Sequence, residues 1–250
     1  MRLAEVASIE HDPASALDAG LRCLNCGHLA EGKFCPDCGQ STRRGVPTIW
    51  DLVSDALNAA FSYDAKLWQT LSILVRQPGK LTVDWVEGRR RRYIGPFQLF
   101  LGLEAVAFLA HRVFFSSNST EIDLKTKALT IVGVVFTLGL AVINVRLKRK
   151  MVEHWVAGAH IWAMLMFVLS LAYIVIPVGS GALQRVGWVS AKFDPGTIIT
   201  PLVQGVMVVY FPLALRRIYG LSLGVACIET VALFSLYRLV AFVIETYLFT

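Results

Sequence analysis

Charge is scarce in this sequence. Asp, Glu, Lys and Arg make up 17% of the 250 residues, against a hydrophobic share of 55%. That balance, with a mean hydropathy of +0.57, excludes an ordinary soluble domain, in which about a quarter of residues are charged. A P-loop, a dinucleotide fingerprint and a serine nucleophile elbow are all missing. The phosphate-cradling and acyl-transfer chemistries that those motifs serve therefore have no foothold, and no catalytic residue is assigned. Met1 to Gly20 contain no apolar core, so no cleavable signal peptide is expected. No internal repeat or low-complexity tract is evident. Cysteine is limited to five residues, four of them in one short cluster.

The charge that does occur is concentrated in the first ninety-six positions and in short connecting loops. The net charge of +6 and pI near 9.2 invite a nucleic-acid reading. Here, however, the basic residues flank apolar runs, so anionic lipid headgroups are the expected partner and no nucleic acid is. The chain turns on Gly88-Arg89-Arg90-Arg91-Arg92-Tyr93-Ile94-Gly95-Pro96-Phe97. Arg89, Arg90, Arg91 and Arg92 are expected to stay solvated and to attract headgroups, at roughly 1 kcal/mol per basic residue. Pro96 suits a helix start, where its missing N–H would have had no intrahelical acceptor.

Ahead of this hinge, Cys23-Leu24-Asn25-Cys26-Gly27 and Cys35-Pro36-Asp37-Cys38-Gly39 form two CxxC pairs, each followed by glycine. Such a turn brings two thiolates to one side of an ion, and the glycine permits the left-handed closure. Four thiolates satisfy tetrahedral zinc and leave no open position, so the metal ligands Cys23, Cys26, Cys35 and Cys38 are structural; iron or a redox dithiol is the alternative. His28 beside them reads as a surface histidine. Thr48 to Asp51 offer a capping box, and apolar residues at helical spacing through Val75 predict an amphipathic helix pair, on the bilayer or against the membrane domain. Leu81 to Glu87 predict a further short helix ended by Gly88.

Beyond Phe97 come five apolar segments, at about 97–115, 128–145, 159–179, 198–215 and 223–249, each able to cover a hydrocarbon layer of ~30 Å. The segment ends on one side carry ten Lys and Arg residues and those on the other carry five. This predicts a cytosolic amino terminus and an outer carboxyl terminus. The fold class is therefore an all-α polytopic membrane protein of about five transmembrane helices with a small N-terminal zinc ribbon. It divides into a tail (1–21), the ribbon (22–42), interfacial helices with the basic hinge (43–96) and the transmembrane domain (97–250).

Ionisable residues at membrane depth are functional candidates, because a charge there costs at least about 2.5–3.5 kcal/mol. Glu104, Glu229, His154 and His160, with Glu153 beside them, are placed by rise per residue at one depth near the cytosolic face. Converging there, they would suit a divalent cation or a proton relay; the alternative is a set of hydrated or helix-bonding groups.

The ribbon, Arg76-Gln77-Pro78-Gly79, the hinge, Glu153-His154 followed by His160, and Arg216-Arg217-Ile218-Tyr219-Gly220 resemble together the bacterial domain-of-unknown-function membrane family numbered 3667. The resemblance implies a bacterial inner-membrane protein with a cytosolic zinc ribbon, and it implies no activity. Function then divides three ways. A membrane-tethered ribbon that docks a protein partner leads, followed by a small transporter or lipid-handling protein using the Glu/His depth. A membrane enzyme with a metal held by His154, His160 and a carboxylate comes last. Each permits an oligomer.

Overall fold

The computed structural model describes residues 21–30, 32–42, 64–115, 133–186 and 196–248. Nearly all of the expected tail and residues 43–63, with the capping box at Thr48, lie outside them. The first described elements are strands β1 (Leu21–Arg22) and β2 (Leu29–Ala30), an antiparallel pair. Helices follow: α1 (Asp64–Arg76), α2 (Lys80–Val86) and α3 (Pro96–Phe115). After these come α4 (Gly133–Ile143), α5 (Met151–Arg185), α6 (Gly196–Tyr219) and α7 (Leu223–Leu248).

Helices α3, α5, α6 and α7 are each long and apolar enough to cross a membrane. The expected second span is described only as α4, eleven residues long, and residues 128–132 of that expectation lie outside the described residues. Outward side chains such as Leu109, Val208 and Ile228 are exposed, which water would oppose and lipid tails accept. Between the helices lies one core that includes Leu74, Leu140, Ile161, Met166, Phe211, Leu215 and Leu233, all 0–1% exposed.

The third span was expected at 159–179, and α5 instead runs for 35 residues, roughly 50 Å at 1.5 Å per residue. It outruns a hydrocarbon layer of ~30 Å. Its leading turns are held by α2: Val156 packs on Trp85, and His160 Nδ1 lies 3.0 Å from Thr82 Oγ1. The interfacial helices thus pack against the membrane domain at α5 and α6. On α1, Leu67, Leu71 and Leu74 join the core, while Trp68 and Val75 of the same apolar series are exposed.

Residues from the basic-rich ends of the spans meet at one end of this bundle. Arg217 donates to the Pro78 carbonyl at 2.9 Å, and Arg149 sits 5.5 Å from the Tyr219 ring centroid. The turn between α1 and α2 depends on close approach. Gly79 has φ 77°, and a Cβ there would lie 2.8 Å from the Ala214 carbonyl oxygen and 3.1 Å from the Ile218 side chain. Tyr210 fastens the same joint by donating to the Leu74 carbonyl at 3.0 Å. Gly79→Ala should therefore cost about 1–3 kcal/mol in backbone strain and displacement from α6. Gly224→Ala, with open space at its Cβ, should be close to neutral. Thermal unfolding in detergent compares the two, and equal midpoints would defeat this account of the joint.

Candidate metal centre and its basic hinge

The ribbon is built twice, which corrects the reading that the chain holds no internal repeat. Cys23 N donates to the His28 carbonyl and Gly27 N to the Cys23 carbonyl; twelve residues on, Cys35 N donates to Gln40 and Gly39 N to Cys35. The Arg22–Leu29 pair recurs as the bridge between Phe34 and Ser41 at the same offset. Only the cysteines and glycines keep their identity between the two copies, so the duplication is one of backbone geometry.

Each copy delivers two thiols to a common point. The Sγ atoms of Cys23 and Cys38 are 3.6 Å apart, as are those of Cys26 and Cys35, and all four lie within 4.8 Å of one another. Tetrahedral thiolates at about 2.3 Å from an ion stand about 3.8 Å apart, so the set fits one such ion, and all four cysteines are free thiols. The thiols also oppose one another electrostatically. Cys23 is lowered to about 7, because backbone and thiol hydrogen bonds outweigh the upward push of burial. Cys26 is pushed up to about 12, its backbone hydrogen bond from His28 overcome by burial and the neighbouring thiols. Crowded thiols resist ionising together until a cation neutralises them. Exposed His28 keeps its surface reading.

Gln40, which the sequence did not single out, joins this ribbon to the hinge. Its Nε2 donates to the Gly88 carbonyl at 2.6 Å, and its Oε1 accepts from the Arg90 and Arg91 backbone N–H groups at 3.2 and 3.3 Å. Leu24 lies so close to Gly88 that a Cβ there would stand 2.7 Å from Leu24 Cδ1. Nothing local in the sequence marks a contact that spans 48 residues.

The four hinge arginines are not equivalent, contrary to the expectation that all stay solvated. Arg89 reaches the buried Asp84 at 2.5 Å and also pairs with Glu87. Arg90 lies over the Trp85 ring, 4.8 Å from its centroid. Arg91 and Arg92 are exposed. Asp84, 1% exposed, also receives Lys80 at 3.1 Å and the Tyr93 hydroxyl at 3.0 Å. Burial alone would raise its pKa, but Arg89, Lys80 and Tyr93 prevail and hold the carboxyl below the usual carboxylate range. The Lys80–Asp84 spacing of four was readable in the sequence; the reach back from Arg89 and Tyr93 was not.

The intramembrane candidates separate into three places. His160 pairs with Thr82. His154 Nδ1 lies 2.9 Å from the Tyr219 hydroxyl, beside the Arg149–Glu153 pair at 3.2 Å, and Tyr219 in turn lies in the field of Glu229. Glu229 accepts from Asn144 Nδ2 at 3.2 Å. Glu104, half-buried on α3, follows Leu103, whose carbonyl accepts from Ser170; Ser170 is ten residues past His160 on α5, roughly 15 Å. Counting depth from the chain alone mistook this, because α5 begins well before its expected span. Among the described residues only the cysteines gather three or more His, Cys, Asp or Glu ligand atoms within metal-binding range.

Fold and site together define a polytopic α-helical protein with a four-cysteine ribbon seated on a basic hinge. The family model described as protein of unknown function (DUF3667) matches residues 64–108. That segment, which runs from α1 through the hinge into α3, is similar to the DUF3667 family. The ribbon and the blocks around His154 and Tyr219 lie outside the match. No curated protein and no solved structure matches the chain.

The Asp84 cluster carries a pH dependence whose sign is fixed. The carboxyl has a lower pKa folded than unfolded, so its contribution is complete above the unfolded value near ~3.9 and is lost as pH falls through the folded value. Asp84→Asn should lower stability at pH 7 by about 2 kcal/mol. It should also flatten the acid limb between about pH 5 and pH 2. Parallel wild-type and variant limbs in detergent unfolding would contradict this.

Proposed function

We propose that the chain is a membrane-tethered scaffold whose zinc-loaded ribbon, held at the cytosolic surface, docks a protein partner. A closed four-thiolate shell leaves a substrate no coordination position, so the metal serves structure. For so short a segment, zinc supplies most of the folding free energy, about 10–16 kcal/mol in zinc-finger peptides at pH 7. The observation that supports the reading most is the Gln40 contact with Gly88, Arg90 and Arg91, which fixes the ribbon relative to the spans. Leu29 and Phe34, 51% and 62% exposed, remain free of the ribbon's small core and supply an apolar docking face. The excess of basic residues at the ribbon's end of the bundle orients that end toward the cytosol of a bacterial inner membrane. The scatter of Glu104, His160 and Glu229 favours this reading over transport through a shared polar site.

Metal analysis of detergent-purified protein should return about one zinc per chain, and Cys35→Ser should lose both the metal and amide-exchange protection at Gly88–Arg91. Two zinc ions per chain would restore the enzyme reading. A photo-crosslinker at Phe34 should yield one discrete protein adduct in intact cells, absent in Cys35→Ser. An adduct pattern unchanged by that substitution would defeat the scaffold role.

A further inference from the structure

The turn between α4 and α5 carries a pattern that neither water nor hydrocarbon satisfies. It reads Val145-Arg146-Leu147-Lys148-Arg149-Lys150-Met151, with apolar and basic residues interleaved. Val145–Leu147 form one turn of 3-10 helix. Lys148 then reverses the chain with φ 50°, a left-handed conformation uncommon outside glycine. Its N–H closes the reversal on the Val145 carbonyl at 3.2 Å. Two polar anchors hold this shape. Asn144, 2% exposed, donates to Glu229 on α7 and to the Leu140 carbonyl near the end of α4, both at 3.2 Å. Arg149 is taken up by Glu153 and the Tyr219 ring.

The remaining residues of the turn are left outside the bundle. Val145, Leu147 and Met151 are 69%, 42% and 51% exposed, and Arg146, Lys148 and Lys150 are exposed beside them. On α7, Ile228, next to the anchored Glu229, is 71% exposed. Water opposes so much apolar surface, and a hydrocarbon layer rejects three cations. Only a boundary where phosphates lie within a side chain's length of acyl methylenes accepts both. The turn sits where such a boundary falls, since it opens the long apolar helix α5 at the basic-rich end of the bundle, where Arg149 meets Tyr219. An acidic protein would match the cations too, but lipid is the medium already present at the end of a span. We infer that the α4–α5 turn is a binding site for anionic phospholipid. Val145, Leu147 and Met151 insert beneath the headgroups, and Arg146, Lys148 and Lys150 hold their phosphates. This needs the chain to be membrane-embedded and is independent of any partner of the ribbon.

The test places a coumarin amino acid at Val145 of the full chain, reconstituted in nanodiscs that mix phosphatidylcholine and phosphatidylglycerol in known proportion. One lipid at a time carries bromine on its upper acyl methylenes and quenches the label on contact. Quenching should show phosphatidylglycerol enriched about fivefold over its bulk share, the worth of one engaged basic residue at the surface. Arg146→Gln, Lys148→Gln and Lys150→Gln together should remove that enrichment. Equal quenching by the two lipids, a label that neither lipid quenches, or enrichment that survives the triple substitution overturns the proposal. The first two readings come from the chain with its cations intact, so they stand even if the triple variant fails to fold. A photo-crosslinker at Leu147 that labels a protein in intact cells in place of lipid also overturns it.

Discussion

The rest of the structure depends on the neutralisation of one buried carboxylate. Asp84 lies where water does not reach, and an isolated charge there would be prohibitive. Lys80 from its own helix and Arg89 and Tyr93 from the following loop converge on it. Satisfying that charge bends the hinge into one shape. Arg89 also returns its backbone N–H to the Asp84 carbonyl at 2.8 Å, so side chain and main chain close the same loop. The surface that Gln40 grips exists because this loop is closed.

A hierarchy follows in which each layer is shaped by the one beneath. The α6 helix shapes the α1–α2 turn through Ala214 and Gly79. The turn sets α2, α2 sets the hinge, and the hinge receives the ribbon. Thr70 contributes by accepting the Ile94 N–H at 3.1 Å while donating to the Lys66 carbonyl at 2.6 Å, which ties α1 to the start of α3. Residues 64–108 of the family match thus cover the joint between the spans and the surface layer.

Much of this was legible in the sequence because it rests on local pattern. The paired CxxC motifs gave the thiol cluster, four of the five apolar runs gave helices long enough to span, and Pro96 is the first residue of α3. What could not be read came from contacts between distant segments. Gln40 has no pattern of its own, and Asn144, the partner of Glu229, reads as an ordinary polar residue at a helix end. Counting depth along single helices misplaced Glu104, because depth depends on where α5 starts. Four adjacent arginines look alike in sequence and divide only when Asp84 and Trp85 claim two of them.

The contact made by Gln40 also carries an order of events. A residue at position 40 is fixed to one at position 88, so during translation the ribbon segment is made while its dock is still unmade. Docking must wait until the hinge has been synthesised and the first span inserted. Until then Leu24 and Gln40 have no dock to cover them.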